Sequence, residues 1–295
     1  MTELGKLMTA MVTPFKKDLS VDQGQTVKLA NYLADNGSEA LVVHGTTGES
    51  PTLTHDEEYE LYRVVKKAVG RRVKVIAGTG SNSTATTVRS SKEAEKIGVD
   101  GLMVVVPYYN KPSQEGMYQH FKAVATGTRL PIIIYNIPGR CVVNMLPETV
   151  ARLANDFPNI VGLKDAAANI EQTKKTRELA PARFTIWSGD DSLALPMMKV
   201  GAVGVISVAS HIAGKQIAEM VSAFHAGDVK KAETLHNRLM PLFNVLFITA
   251  NPTPVKAALE MIGLPVGIPR LPLIEATGSE KEQIRKVLRE LGLIK

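Results

Sequence analysis

At 295 residues and 44% hydrophobic, with a net charge of +6, the chain has room for one large α/β domain with an appendage or for two ordinary domains. Its single cysteine, Cys141, excludes an internal disulfide framework, and no CxxC or Cys/His cluster suggests structural zinc. The densest basic run, "RVVKKAVGRRVK" (63–74), has no interleaved aromatic residues, so it reads as a solvated helix end and no nucleic-acid partner is expected.

The N-terminal "MTELGKLMTAMVTPF" carries Glu3, Lys6 and Pro14, which spoil the apolar core of a secretory leader. Its later part, 7–15, reads as a first strand. "VDQGQTVKLANYLADNG" (21–37) then places apolar residues at helical spacing and closes on glycine. "ALVVHG" (40–45) is a second strand, "THDEEYELYRVVKKAVG" (54–70) a helix, "VKVIAG" (73–78) a third strand and "STATTVRSSKEAEKIG" (83–98) a helix. Strand signals recur in "GLMVVVP" (101–107), "PIIIYNI" (131–137), "IVGLKDA" (160–166), "FTIWSG" (184–189) and "GVISVAS" (204–210), making eight.

Near-continuous apolar strands are buried on both faces, as in a parallel sheet covered by helices. Eight β/α units fit a (β/α)8 TIM barrel. A doubly wound sheet is the alternative, but "GTGSNS" (78–83) lacks the third glycine of a dinucleotide fingerprint. After Phe224 only helical signals remain, in "DVKKAETLHNRLMPLFNVLFI", "TPVKAALEMIG" and "EKEQIRKVLRELGLI". The expected organisation is a barrel over 1–225 and a helical appendage over 226–295. The longest uncharged stretch, 239–255, holds two asparagines and three prolines, which argues against a membrane span. A cytoplasmic location is expected.

A barrel of this kind builds its site where the strands end. Lys164 interrupts the aliphatic run of "IVGLKDA". By alternation Ile160, Gly162 and Lys164 share one face. If that face looks inward, desolvation lowers the lysine pKa and frees a lone pair for attack on a carbonyl carbon, which is how a Schiff base is made. A lysine snorkelling from the strand end is the competing reading. Tyr135, on the preceding strand, shares a face with Ile133 and could relay the protons of imine chemistry with Thr46, Thr47 and Tyr109 as partners, or be a core tyrosine. "GTTGE" suits a carboxylate, or is only a tight turn. Arg140 could take a second carboxylate in bidentate fashion, or form a surface ion pair. Cys141 reads as a small packed residue. The six histidines show no metal-ligand spacing, so no metal is expected, and neither a GxSxG elbow nor a Walker loop is present.

Taken in order, "MVTPF", "GTTGES", "IAGTGSN", "PYYNKP", "YNIPGR", "GLKDA", "SGDD" and "NPTPVKAAL" resemble the dihydrodipicolinate synthase family, a branch of the class I pyruvate-dependent aldolases that include N-acetylneuraminate lyase. The resemblance implies that Lys164 forms the Schiff base with pyruvate and that Thr46, Tyr135 and Tyr109 relay protons, Tyr109 reaching into a neighbouring subunit. It further implies that Thr46 and Thr47 hold the pyruvate carboxylate, that Arg140 receives the carboxylate of L-aspartate 4-semialdehyde, and that Gly189 and Ile206 line the pyruvate pocket. The implied product is 4-hydroxy-tetrahydrodipicolinate, on the route to lysine and diaminopimelate, made without metal or organic cofactor by a homotetramer of two tight dimers. "GTTGE" in place of "GSTGE", and Arg140 after "YNIPG", favour the synthase over a sugar-acid lyase. Another pyruvate-dependent aldolase, or a non-catalytic barrel that binds a keto acid, remains the alternative.

The family's lysine-inhibition site is matched by Ser50, Leu53, His55, Asn82 and Tyr108. Glu58 stands where inhibited bacterial forms commonly have histidine, and Thr86 where a glutamate recognises the ligand's ammonium. Losing that carboxylate removes a charge-assisted hydrogen bond of roughly 1.5 to 3 kcal/mol. Weak or absent inhibition is expected, and a half-maximal effect at submillimolar lysine in an activity assay would contradict it.

Overall fold

The computed structural model describes residues 4–295; residues 1–3 of the segment read for a leader lie outside the described residues. The eight expected strands are all present, as β1 (Leu7–Ala10), β2 (Ala40–Val43), β3 (Lys74–Gly78), β4 (Gly101–Val105), β5 (Ile132–Asn136), β6 (Ile160–Asp165), β7 (Thr185–Ser188) and β8 (Gly204–Ser207). They follow one another in space as they do in sequence and close into a barrel of parallel strands. The helices are α1 (Gln23–Asp35), α2 (His55–Val69), α3 (Thr84–Ile97), α4 (Gln114–Gly127), α5 (Pro138–Cys141), α6 (Pro147–Asp156), α7 (Ile170–Leu179), α8 (Ala194–Lys199) and α9 (Ser210–His225), followed by α10 (Val229–Val245), α11 (Thr253–Met261) and α12 (Gly278–Glu290). This is the expected (β/α)8 barrel with extra C-terminal helices.

Local chemistry fixes the helix starts. Asp22 and Ser83 cap α1 and α3 by accepting from Gln25 and Thr86 amides, and Thr54 with Glu57 and Thr277 with Glu280 form reciprocal capping boxes on α2 and α12. Gly98 ends α3 in the left-handed region at φ +85°, where a side chain would be strained. Strands β2, β5 and β8 are buried at every position, which explains their largely apolar composition, with Asn136 and Ser207 as buried polar ends. All eight strands are shorter than the runs expected from the sequence, β1 and β8 most of all. β1 stops at Ala10, and β8 stops at Ser207 because Ser210 already opens α9.

The chain packs as two compact units, one containing Lys74–Ile206 and the other Leu7–Val73 with Ser207–Lys295. In the first, β5 and β6 pair with a register shift: Ile132 faces Ile160, but Ile133 faces Gly162, and from there Tyr135 faces Lys164. The extra residue breaks strict alternation, so Ile160 does not belong to the face that Gly162 and Lys164 share. Asp165 points to the helix layer, where Thr173 of α7 donates to it at 2.8 Å. Lys164, one residue earlier, therefore turns to the barrel interior.

Gly162 is required by its neighbours. A Cβ there would meet the Thr185 carbonyl oxygen at 2.4 Å and Cζ3 of Trp187 at 2.5 Å. Gly162→Ala should cost about 2 kcal/mol or more through overpacking. Urea denaturation checks this, and an unchanged midpoint would show that Trp187 yields freely.

Candidate active site

In the first unit the strand pairing brings two of the expected residues together. Lys164 Nζ lies 4.4 Å from the centre of the Tyr135 ring, and both side chains are buried, Lys164 being 5% exposed. Burial is the main influence on the amine and disfavours its charged form. The Asp191 carboxylate opposes that effect and the Arg140 guanidinium adds to it, leaving the Lys164 pKa lowered to about 8. A lysine so placed is still mostly protonated near neutral pH but has a far larger neutral fraction than a surface lysine.

Gly189 lies against the same side chain. Its amide donates to the Asp165 carbonyl at 2.7 Å, and a Cβ there would stand 3.2 Å from Lys164 Cε and 2.8 Å from Ala166 Cβ. Its lack of a side chain thus leaves room for the lysine stem. Ile206 is buried in β8, two strands along from Lys164. Arg140 is exposed on α5, where its backbone amide donates to the Ile137 carbonyl. The loop that follows is held by amide side chains: Asn136 donates to Asn144 at 2.8 Å and accepts from the Met145 amide, and Asn144 donates to Gln172 at 2.7 Å. Cys141 is buried and its thiol is pushed up to about 11, chiefly by burial, which fits a packed residue.

Tyr109 differs from Tyr135. It sits after β4 with φ +73° and is 87% exposed, so its phenol is presented to the outside of this chain. Tyr108 is half-buried beside it, and Asn110 ties this turn to the Asn82 carbonyl at 2.8 Å.

In the second unit, residues 44–50 form a tight turn after β2. Glu49 and Ser50 amides donate back to the Thr46 and Gly45 carbonyls, and His44 and Glu49 have positive φ. Thr46 is half-buried and Thr47 buried; Asn251 Nδ2 donates to Thr47 Oγ1 at 2.9 Å. Glu49 is buried against Lys256 of α11, Nζ to Oε1 2.5 Å, while its other oxygen accepts the Arg270 amide at 2.8 Å. Ser50 and Leu53 are half-buried at the start of the segment leading to α2, and His55 Nδ1 lies 2.9 Å from the buried Glu58, which also accepts from the Tyr62 hydroxyl at 3.0 Å. Thr86 is half-buried in the first turn of α3.

Sequence reasoning did not single out Asp191, Asn251, Glu49 or Lys256. Asp191 was visible only as part of the polar strand end "SGDDS" and Asn251 only within "NPTPVKAAL". Nothing in the sequence pairs Glu49 with Lys256. Among the described residues no three His, Cys, Asp or Glu side chains gather as a metal site, and no helix is long and apolar enough to cross a membrane.

The first unit thus holds a buried amine of lowered basicity beside a phenol and within reach of a guanidinium's field, an arrangement chemically able to attack a carbonyl. Comparison with known proteins points the same way. The model of the Dihydrodipicolinate synthetase family matches residues 3–291. The chain is 58% identical to the 4-hydroxy-tetrahydrodipicolinate synthase of Moorella thermoacetica, covering 98% of this chain and 99% of that protein, and 55% identical to that of Desulforamulus reducens, covering 99% of each. Its fold superposes on the crystal structure of DHDPS from Cyanidioschyzon merolae with lysine bound at a TM-score of 0.97, with 49% identity over 99% of both chains.

Proposed function

The chain belongs to the dihydrodipicolinate synthetase family, and from that membership we propose that it is an enzyme that condenses pyruvate with L-aspartate 4-semialdehyde to give 4-hydroxy-tetrahydrodipicolinate, for lysine and diaminopimelate synthesis. The observation that carries the chemistry is the buried Lys164 amine over the Tyr135 ring, with its pKa near 8.

The neutral amine adds to C2 of pyruvate, and the carbinolamine loses water to leave an imine. Loss of a proton from C3 gives the enamine, whose C3 attacks the aldehyde carbon of the semialdehyde, and the semialdehyde's own α-amino group then attacks the re-formed imine at C2, closing the ring and expelling the Lys164 amine. Tyr135 carries protons to and from the carbinolamine oxygen, with Thr46 and Tyr109 completing the relay. The exposure of Tyr109 supports its service to a neighbouring subunit, which makes at least a dimer the working form, within a tetramer of two dimers. Thr46 and Thr47 hold the pyruvate carboxylate, with Gly189 and Ile206 lining the pocket. Arg140 offers its five-donor fork to the carboxylate of the second substrate. Lysine is at most a weak inhibitor, because Thr86 stands where a glutamate would recognise its ammonium, and the carboxylate of Glu58 is engaged by His55 and Tyr62.

The test is reduction with borohydride in the presence of pyruvate, location of the adduct by mass spectrometry, and turnover with two aldehydes. An adduct on Lys164 with turnover of aspartate semialdehyde is expected. No adduct there would end the Schiff-base reading, and turnover of N-acetylmannosamine instead would reassign the enzyme to sugar-acid cleavage.

A further inference from the structure

Thr47 and Asn251 are 204 positions apart, yet they share a hydrogen bond whose direction matters. Asn251 precedes α11, is 5% exposed, and donates from Nδ2 to Thr47 Oγ1 at 2.9 Å. Its Oδ1 is withdrawn from solvent and has no hydrogen-bond partner among the described residues.

A threonine hydroxyl has one proton to give and lone pairs to accept with. With the Asn251 N–H on its oxygen, Thr47 keeps its proton for another acceptor. Were the amide reversed, Oδ1 would draw that proton to itself and Thr47 could only accept. A carboxylate accepts and never donates when ionised, so only the first arrangement lets the Thr47 hydroxyl hold one. The unpaired Oδ1 is the cost of this arrangement, because a buried carbonyl without a donor is destabilising.

The surrounding structure keeps the two groups in register. Glu49, two residues beyond Thr47, is bound by Lys256 of α11 and by the Arg270 amide. Lys256 also donates to the Ile268 carbonyl at 3.3 Å, and Arg270 reaches the Thr52 carbonyl at 2.7 Å and both oxygens of Glu57. The chain that carries Asn251 therefore clamps the residues that follow Thr47. Gly48 is fixed as well, since Thr13 donates to its carbonyl at 2.6 Å.

We propose that Asn251 is a positioning residue that sets the polarity of Thr47, holding its hydroxyl as a hydrogen-bond donor towards the pyruvate carboxylate. This rests on the reading of Thr47 as a carboxylate-binding residue. The experiment is a double-mutant cycle of Thr47→Val and Asn251→Ala, with Asn251→Asp as a third probe, read as KM for pyruvate and kcat alongside thermal midpoints. Thr47→Val should raise the pyruvate KM by roughly tenfold or more. Asn251→Ala should raise it several-fold, with a smaller change in kcat, and most of that effect should vanish when Thr47 is already valine. Asn251→Asp, which has the same shape but only accepts, should raise KM further than Asn251→Ala.

If Thr47→Val raises KM as expected but the Asn251→Ala effect is additive with it, or appears only in the thermal midpoint, the positioning role is overturned while the carboxylate site stands. If Thr47→Val leaves the pyruvate KM unchanged, the reading of Thr47 fails and the proposal falls with it.

Discussion

Replacement of Lys164 by alanine is expected to abolish the borohydride-trapped pyruvate adduct and to lower kcat/KM by about a thousandfold or more, with the fold intact. The structural reason is that nothing else on the inner face of β5 and β6 offers a comparable lone pair. The same site makes a prediction about pH with a definite sign. Attack requires the neutral amine, so the rate of adduct formation should rise with pH and level off above about 8, the value to which burial lowers Lys164. Asp191 favours the ammonium and Arg140 disfavours it. Asp191→Asn should therefore move the rising limb to lower pH, and Arg140→Met should move it to higher pH. Single-turnover measurements from neutral to alkaline pH check this. Shifts of the same sign in both variants would show that these charges do not govern the amine.

The second large effect is on stability. Lys256 and Glu49 are both buried, and burial lowers the Lys256 pKa to about 8, opposed by Glu49 and assisted by Arg270. Lys256→Met removes the cation and leaves the Glu49 carboxylate with the Arg270 amide but without its close counter-charge. Breaking a buried pair from one side typically costs about 3 to 5 kcal/mol, which for a chain of this size corresponds to a fall of roughly 10 °C in the thermal midpoint. Removing both charges, as Glu49→Gln with Lys256→Met, should recover much of the loss, because a buried pair gains little over uncharged groups of similar size. Calorimetry of the two variants decides it. A single variant with an unchanged midpoint would mean that Arg270 alone satisfies Glu49.

The parts of the fold that were legible in the sequence have a common physical basis. A parallel strand covered on both faces must be apolar at nearly every position, so β2, β4 and β5 announce themselves as runs such as "ALVV" and "IIIY". Lys164 was conspicuous for the same reason, as an ammonium inside such a run. Strand ends were less legible, because the ladder is ended by where the next turn begins, as at Ser210, while the residues beyond it stay buried and apolar. Counting by alternation placed Lys164 with Tyr135 but put Ile160 on their face too, since a register shift adds a residue that composition does not reveal. The union of Thr47 with Asn251, and of Glu49 with Lys256, could not be read at all: each pair joins distant segments whose local sequence is satisfied without the other.

Gly162 has a further consequence for chemistry. The space its missing side chain leaves is filled by the indole of Trp187, whose strand neighbour across β6 and β7 is Lys164 itself. Gly162 therefore lets an aromatic ring pack within the strand pair that carries Lys164, and the indole N–H is anchored to the Gly5 carbonyl at 2.9 Å. Burial is the main influence on the basicity of that amine, and an omission two residues earlier in its own strand is what admits the ring. Altering that omission would displace the ring without touching any group proposed to meet the substrate.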